Sequence, residues 1–281
     1  MLQVLVDGNS LGHICWHALP LTTKEGSFDL ALGLWLRTFF LKLNKALPER
    51  GKVFIFWDSK QSVRKKLLDS YKAGRGHQKH AVSYQNLVNV ARELFTVSNL
   101  PTFSLSIEGL EADDLIATFS HFSQEPALIV SADKDLMQLI SNNVSMVRLS
   151  PKKVETVLSP IDFQARFGFP PKLLWVYLSL VGDSSDRIKG VRGYGPAKFA
   201  KELKALGIEG ILEKWQDNEQ FKQSAKLTKL PNFEFWQEVN QDPQEWFNSV
   251  SSLPGPYCQN LEILFKALNI NARVDKVCLT A

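Results

Sequence analysis

Cysteine is scarce in this chain: Cys15, Cys258 and Cys278 are odd in number and show no Cys-x-x-Cys spacing. A disulfide framework and a tetrahedral zinc site are therefore not expected, and a reducing, intracellular setting fits best. His13/His17 and His77/His80 have spacings a metal could use, but they lack a Cys or a further His to complete a zinc site. No apolar run is long enough to span a bilayer. The start, Met1-Leu-Gln-Val-Leu-Val-Asp7, has neither the basic opening nor the long apolar stretch of a signal peptide, so no membrane partner is expected. Internal repeats and low-complexity tracts are absent. Gly195-Pro196-Ala197-Lys198 lacks the first glycine of a phosphate loop and the Ser/Thr that should follow the lysine, which argues against nucleoside-triphosphate binding.

What is present is acid in an unusual place. Glu108 to Leu139 carries Glu111, Asp113, Asp114, Asp133 and Asp135 within one αβ unit. Leu115, Phe119 and Phe122 recur at helical spacing, so the first acidic group sits at a helix start, where exposed N–H groups and the helix dipole favour negative charge. Ala127 to Ser131 is a short apolar run that reads as a buried strand, with Asp133 and Asp135 just beyond it. Helix capping accounts for one or two such acids. Five crowded carboxylates would protonate in part without a counter-ion, and hard divalent cations with oxygen ligands, Mg²⁺ first, resolve that conflict.

Two more strands end in the same way. Leu2 to Val6 runs into Asp7, and Val53 to Trp57 into Asp58. Ser27 suits the N-cap of a helix to Leu47 between them, and Ala81 to Phe95 returns to helical periodicity. The segment from His13 to Gly26 reads as irregular, and Pro101 to Ile107 as a short strand. Strands separated by helices build parallel sheets, whose carboxyl ends share one edge, the edge where open α/β sheets bind ligands. Asp7, Asp58 and Asp133 should converge there.

Basic residues follow the acids. From Ser62 to His80 the chain carries Arg64, Lys65, Lys66, Lys72, Arg75 and Lys79, with Gly74 and Gly76 interrupting any helix. A solvated loop is the bland reading, but the run leaves Asp58 directly and should rise above the acidic edge, where it can meet phosphates. Ser159-Pro160 reads as a helix start. Beyond an apolar helix from Pro171 to Val181 come Gly182-Asp183-Ser-Ser-Asp186 and Gly190-Val-Arg192-Gly193-Tyr-Gly195-Pro196-Ala-Lys198, then a helix with Lys201 and Lys204 outward. This is the pattern of a helix-hairpin-helix, whose glycines let backbone N–H groups approach a DNA phosphate. From Leu212 onward the prolines break the chain into short pieces, and Trp215, Phe235, Trp236, Trp246 and Phe247 read as core.

Together these pieces resemble the 5′-nuclease superfamily, in its bacterial and phage form: the N-terminal 5′→3′ exonuclease domain of DNA polymerase I and the stand-alone phage 5′-exonucleases and flap endonucleases. The matching stretches are V-D-G-N-S at 6–10, F-W-D-S-K at 56–60, Y-K-A-G-R at 71–75 and G-L-E-A-D-D at 109–114. V-S-A-D-K-D-L-M-Q-L at 130–139, G-D-S-S-D at 182–186 and G-V-R-G-Y-G-P-A-K at 190–198 follow in family order. Short motifs are weak singly and strong in series. The resemblance implies a PIN-like α/β fold with a mostly parallel central sheet flanked by helices and a C-terminal helical region. A nuclease core would cover 1–155, with a basic arch region at about 62–98. The helical region would cover 156–281, with the hairpin motif at about 171–206.

The resemblance further implies a two-metal phosphodiesterase acting on DNA with 5′ ends, flaps or nicks, and on RNA–DNA hybrids, as a monomer. It would work in the cytoplasm of a bacterial cell or a phage-infected host. Asp7, Asp58, Glu111, Asp113 and Asp114 would gather around one Mg²⁺, and Asp133, Asp135, Asp183 and Asp186 around the other, with Mn²⁺ able to substitute. Asp113 and Asp133 would be central to catalysis, and Lys72 and Arg75 would contact the scissile phosphate. Arg64, Lys65, Lys66, Lys79, Gly190, Arg192, Gly193, Gly195, Lys198 and Lys201 would hold DNA, with K⁺ at the hairpin. No polymerase domain follows, so a stand-alone nuclease is expected. Setting aside those nine acids leaves 20 against 33 Lys and Arg, an excess of 13 positive charges where the formal net charge is only +4. A basic body around an acidic pocket suits a polyanion cut at metals.

One departure stands out. Polymerase-type relatives usually read G-D-x-x-D-N-x-P-G, and here Arg187 and Lys189 replace the Asn and Pro. Two other readings compete with the leading one. A PIN-type ribonuclease uses a similar acidic edge but leaves the hairpin segment unexplained. A non-catalytic, structure-specific DNA-binding protein would be expected if Asp183 or Asp186 were missing, and both are present.

Overall fold

The computed structural model describes residues 1–68, 71, 80–150, 154–255, 258–272 and 276–277. Strand β1 (Gln3–Asp7) runs straight into helix α1 (Gly8–Ala18), followed by the short α2 (Leu21–Lys24) and the long α3 (Phe28–Ala46). Strand β2 (Lys52–Phe56) leads to α4 (Val63–Leu67), and α5 (Tyr84–Val97) and α6 (Ala112–Phe122) precede β3 (Ala127–Ser131). Strands β4 (Val144–Leu149) and β5 (Val154–Leu158) complete a five-stranded sheet in the order β2-β1-β3-β4-β5, parallel except for β5. The division expected at 155 falls inside β5.

Alternate residues of each central strand feed opposite layers, as the pleat requires. Val4, Val6, Val53, Ile55, Leu128 and Val130 pack into one core with α1, α3 and α5. Leu5, Phe54, Phe56, Ala127 and Ile129 pack into the other, beneath α6 and the C-terminal helices. That double burial is why these strands are apolar on both faces.

The remaining helices are α7 (Pro160–Phe167) and α8 (Leu174–Val181), then α9 (Pro196–Trp215), α10 (Glu219–Thr228), α11 (Phe233–Glu238), α12 (Pro243–Ser251) and α13 (Cys258–Ala267). A two-residue ribbon, β6 (Gly182–Asp183) with β7 (Ile188–Lys189), joins α8 to α9. Helix α9 bends at Gly207, whose φ of +68° no helix tolerates. Trp236 is buried against Trp246, and the half-buried Trp246 and Phe247 meet Phe119 of α6, so these C-terminal aromatics pack onto the core. Among the described residues no helix is long and apolar enough to cross a membrane.

Two local expectations are corrected. Residues 8–18 are helical, so the segment expected to be irregular from His13 continues a helix to Ala18. Their helical signal is interrupted by Gly8 and Gly12, which are there for close approach: a Cβ on Gly8 would stand 2.7 Å from the Trp57 ring, and one on Gly12 2.7 Å from the Tyr84 hydroxyl. Pro101 to Ile107 is not a strand. Pro101 opens a 3₁₀ turn to Phe103, and only Leu105 bridges to Phe56 of β2.

Candidate metal centre

The carboxyl ends of β1, β2 and β3 meet at one cleft of about 370 Å³. Asp7, Asp58, Asp113, Asp133 and Asp186 line it, with Asn9, Ser10, His13, Lys134 and Arg148. Each acid is placed by its own local structure. Asp7 ends β1 and caps α1, accepting from the Ser10 N–H at 2.9 Å. Its other oxygen accepts from the Ser131 hydroxyl of β3 at 2.6 Å. The Ser131 oxygen also accepts the Asp133 N–H at 2.9 Å, so one serine ties two strand ends together. Asp58 accepts the Ala112 N–H at 2.9 Å, which ties the end of β2 to the start of α6. Asp113 then projects from the first turn of that helix.

A second group adjoins the first. Asp135, Asp183 and Asp186 each offer a carboxylate oxygen within 4.8 Å of the other two. Asp183 is delivered by β6 and accepts from the Lys134 ammonium at 2.7 Å and from the Ser185 hydroxyl at 2.6 Å. One oxygen of Asp135 and one of Asp183 are buried without a hydrogen-bond partner. Buried oxygens left this way are costly unless something else satisfies them.

The electrostatics agree. Burial and then the neighbouring Asp58 push the Asp7 carboxyl up to about 7, against the pull of Ser131 and Ser10. Asp135 is raised well above the carboxylate range by burial, with Asp133, Asp183 and Asp186 adding to it. For Asp183 burial also pushes upward, but the bonds from Lys134 and Ser185 outweigh it and hold the pKa below its ordinary value. Converging acidic oxygens, partly orphaned and forced toward protonation, make a donor set suited to hard divalent cations. The residues present fit such ions.

Not every acid of the expected set faces this cleft. Asp114 is 1% exposed and takes a bidentate pair from Arg64, at 2.6 and 2.7 Å, while accepting the Glu111 N–H at 3.0 Å. Glu111 is also buried. It accepts from the Tyr71 hydroxyl at 3.1 Å, lies 3.6 Å from Arg64 and borders a neighbouring cleft that shares Asn9, His13 and Asp58. Asp114, expected among the metal ligands, is thus placed as the buried ion-pair partner of Arg64, turned away from the acid cleft. Arg64 is corrected from DNA contact to clamp: it is 3% exposed, reaches the Leu227 carbonyl and stacks over Phe235 at 4.7 Å. In a basic run an exposed cation and a buried one look alike.

Lys65 and Lys66 are exposed on α4, whereas Lys72, Arg75 and Lys79 lie outside the described residues. In the hairpin, Gly193 (φ +73°) and Gly195 face open space, and Arg192, Lys198 and Lys201 are exposed. Gly190 differs from the rest. A Cβ there would stand 2.4 Å from the Val181 carbonyl carbon, so this glycine serves the packing of the ribbon against α8. Sequence reasoning missed Arg148, His13 and Lys134 in the acid cleft. Arg148 pairs with Ser131 across β3 and β4, but a single arginine in an apolar run carries no motif.

The chain is similar to known proteins in sequence and in fold. A 5′-3′ exonuclease of Aquifex aeolicus is 32% identical over 240 residues, covering 80% of both chains. DNA polymerase I of Rhizobium leguminosarum is 32% identical over 235 residues, 79% of this chain but only 22% of the polymerase. In fold, the chain matches a bacteriophage T5 flap endonuclease solved with DNA and metal ions, at a TM-score of 0.67 and 19% identity over 94% of this chain and 99% of that one. The sequence pattern described as 5′-3′ exonuclease, N-terminal resolvase-like domain, matches residues 2–168. With that pattern matched over more than half of the chain and a relative 32% identical over 80% of both chains, the chain belongs to this 5′-3′ exonuclease family.

Proposed function

We propose that the chain is a Mg²⁺-dependent, structure-specific 5′-nuclease that hydrolyses DNA phosphodiester bonds by 5′→3′ exonuclease and flap endonuclease action. The observation that carries the reading is the junction of two acidic groups. One comes from the ends of a parallel sheet, and the other from the ribbon leading into the hairpin, so cutting and DNA holding share one short segment.

In this reading Asp133 moves from the second expected group to the first, whose cleft it lines: Asp7, Asp58, Asp113 and Asp133 would hold one ion, and Asp135, Asp183 and Asp186 the other, with Mn²⁺ able to substitute. When bound, two such ions make water more acidic and neutralise charge at the attacking and leaving oxygens of the phosphate. The chain's own part is placement. Ser131 and Ser10 fix the rotamer of Asp7, and the Ala112 N–H fixes Asp58. Lys72 and Arg75 contact the scissile phosphate. Gly193, Gly195, Arg192, Lys198 and Lys201 engage the duplex backbone, and the hairpin would hold K⁺.

The substrates are DNAs with 5′ ends, flaps or nicks, RNA–DNA hybrids included. The protein acts as a monomer in the cytoplasm of a bacterial or phage-infected cell. Residues 1–155 form the nuclease core, with an arch region at 62–98, and residues 156–281 form the helical DNA-holding part. Product mapping on a 5′-flap, a nicked duplex and a blunt duplex with Mg²⁺ tests the proposal. Cleavage near the flap junction that EDTA abolishes is expected, and equal cutting of all substrates with or without EDTA would refute it.

A further inference from the structure

The ribbon that carries Asp183 continues into Arg187-Ile188-Lys189, which forms the lip of a separate cleft of about 490 Å³ against α10. Arg187, Lys189, Lys226, Gln220 and Gln223 line it, with Leu67 of α4 opposite, and among the described residues no carboxylate contributes to the wall. The lip is held rigidly from below. Ser224 and Gln220 of α10 both donate to the Lys189 carbonyl, at 2.7 and 3.0 Å. Ile188 is buried with Tyr71 and Leu227.

Arg187 sits at φ +60°. That left-handed conformation suits glycine or asparagine and strains an arginine. The chain thus carries a long cation where the backbone suits a short amide or no side chain at all. Lys189 adds a second charge on the same lip, and Lys226 faces them from α10. Three cations lining one cleft suit a ligand with a row of closely spaced anions.

We propose that this cleft is a second phosphate-binding surface, taking the backbone of the DNA strand that continues from the metal centre past Asp186. Asp186 lines the acid cleft and Arg187 is its neighbour, so a strand leaving the acids over Asp186 meets Arg187 and then Lys189. The inference rests on the reading of the chain as a DNA-cutting nuclease. It adds a contact surface beyond the metal centre and the hairpin.

The test is the salt dependence of binding to a labelled 5′-flap DNA in EDTA, followed by fluorescence anisotropy. Removing one cation that neutralises a phosphate lowers the slope of log K against log [salt] by about 0.7 for single strands and about 0.9 for duplex. R187N/K189Q should lower the slope by about 1.4–1.8 and weaken binding several-fold at moderate salt. Its melting temperature should not fall, because Asn adopts φ > 0 more readily. K226Q, which leaves the ribbon untouched, should lower the slope by about 0.7–0.9. K266Q, on the exposed face of α13, should match the wild type. Slopes for R187N/K189Q and K226Q equal to that of a DNA-binding wild type would overturn this inference alone. A wild type that neither binds nor cuts flaps would overturn the nuclease reading and this inference with it.

Discussion

Replacing Asp114 by Asn separates the two roles open to this acid. The resemblance implies a metal ligand, and the structure gives a buried partner for Arg64. Arg64 is 3% exposed and Asp114 1%, and both guanidinium nitrogens lie within 2.7 Å of its carboxylate. Removing one partner of such a pair leaves an uncompensated buried charge and costs about 3–5 kcal/mol. Glu111, 3.6 Å from Arg64, compensates in part, so D114N should fall near the lower end, about 3 kcal/mol. That corresponds to a fall in melting temperature of about 6–10 °C. The triple variant R64M/E111Q/D114L removes all three charges of the cluster. It should lose only about 1–2 kcal/mol, mostly from the missing bond to the Glu111 N–H, and so be more stable than D114N. Thermal unfolding in EDTA measures the first effect. Calorimetric Mg²⁺ titration well below the transition should give D114N an affinity within about threefold of wild type. A D114N protein that melts like wild type but has lost Mg²⁺ affinity would refute the reasoning and restore Asp114 to the metal site.

Three further outcomes are expected. Asp133→Asn should reduce turnover at least about 100-fold while flap binding in EDTA persists, because even outer partners of metal sites are worth about 10–100-fold; wild-type-like turnover would exclude Asp133 from the centre. In the metal-free protein the Asp7 pKa is raised to about 7 from 3.8, so between these values the folded state holds a proton that the unfolded chain has lost. This group's contribution to stability therefore declines as pH rises through 7, and the stabilisation added by Mg²⁺ should grow over the same range; melting curves with and without Mg²⁺ from about pH 5 to 8 check the sign. Lys134→Met removes the ammonium bonded to Asp183, which should destabilise the metal-free protein and tighten Mg²⁺ binding, and a titration showing weaker binding would mean that Lys134 helps to assemble the site instead of competing for it.

The acidic edge was legible in the sequence because its grammar is local. Three apolar strands ending in Asp, alternating with helices, can only bring those acids to one side of a parallel sheet. The same holds for the hairpin, where glycines, Pro196 and a lysine row mark a turn and a helix start without reference to the rest of the chain. What the sequence could not assign was direction. Asp113 and Asp114 are adjacent, yet on a helix neighbouring side chains point about 100° apart, so one enters the cleft while the other turns inward to Arg64. Arg64 and Lys65 divide in the same way on α4, one buried and one exposed. The helix at 8–18 was hidden because its two glycines answer to Trp57 and Tyr84, residues distant in sequence. Arg148 joined the cleft only through the register of β4 on β3. Sequence alone determined which carboxylates gather and the sheet edge they share. Tertiary packing decided which carboxylates stay open to a cation and which are used up holding helices together, because a buried charge takes whatever partner the fold brings nearest.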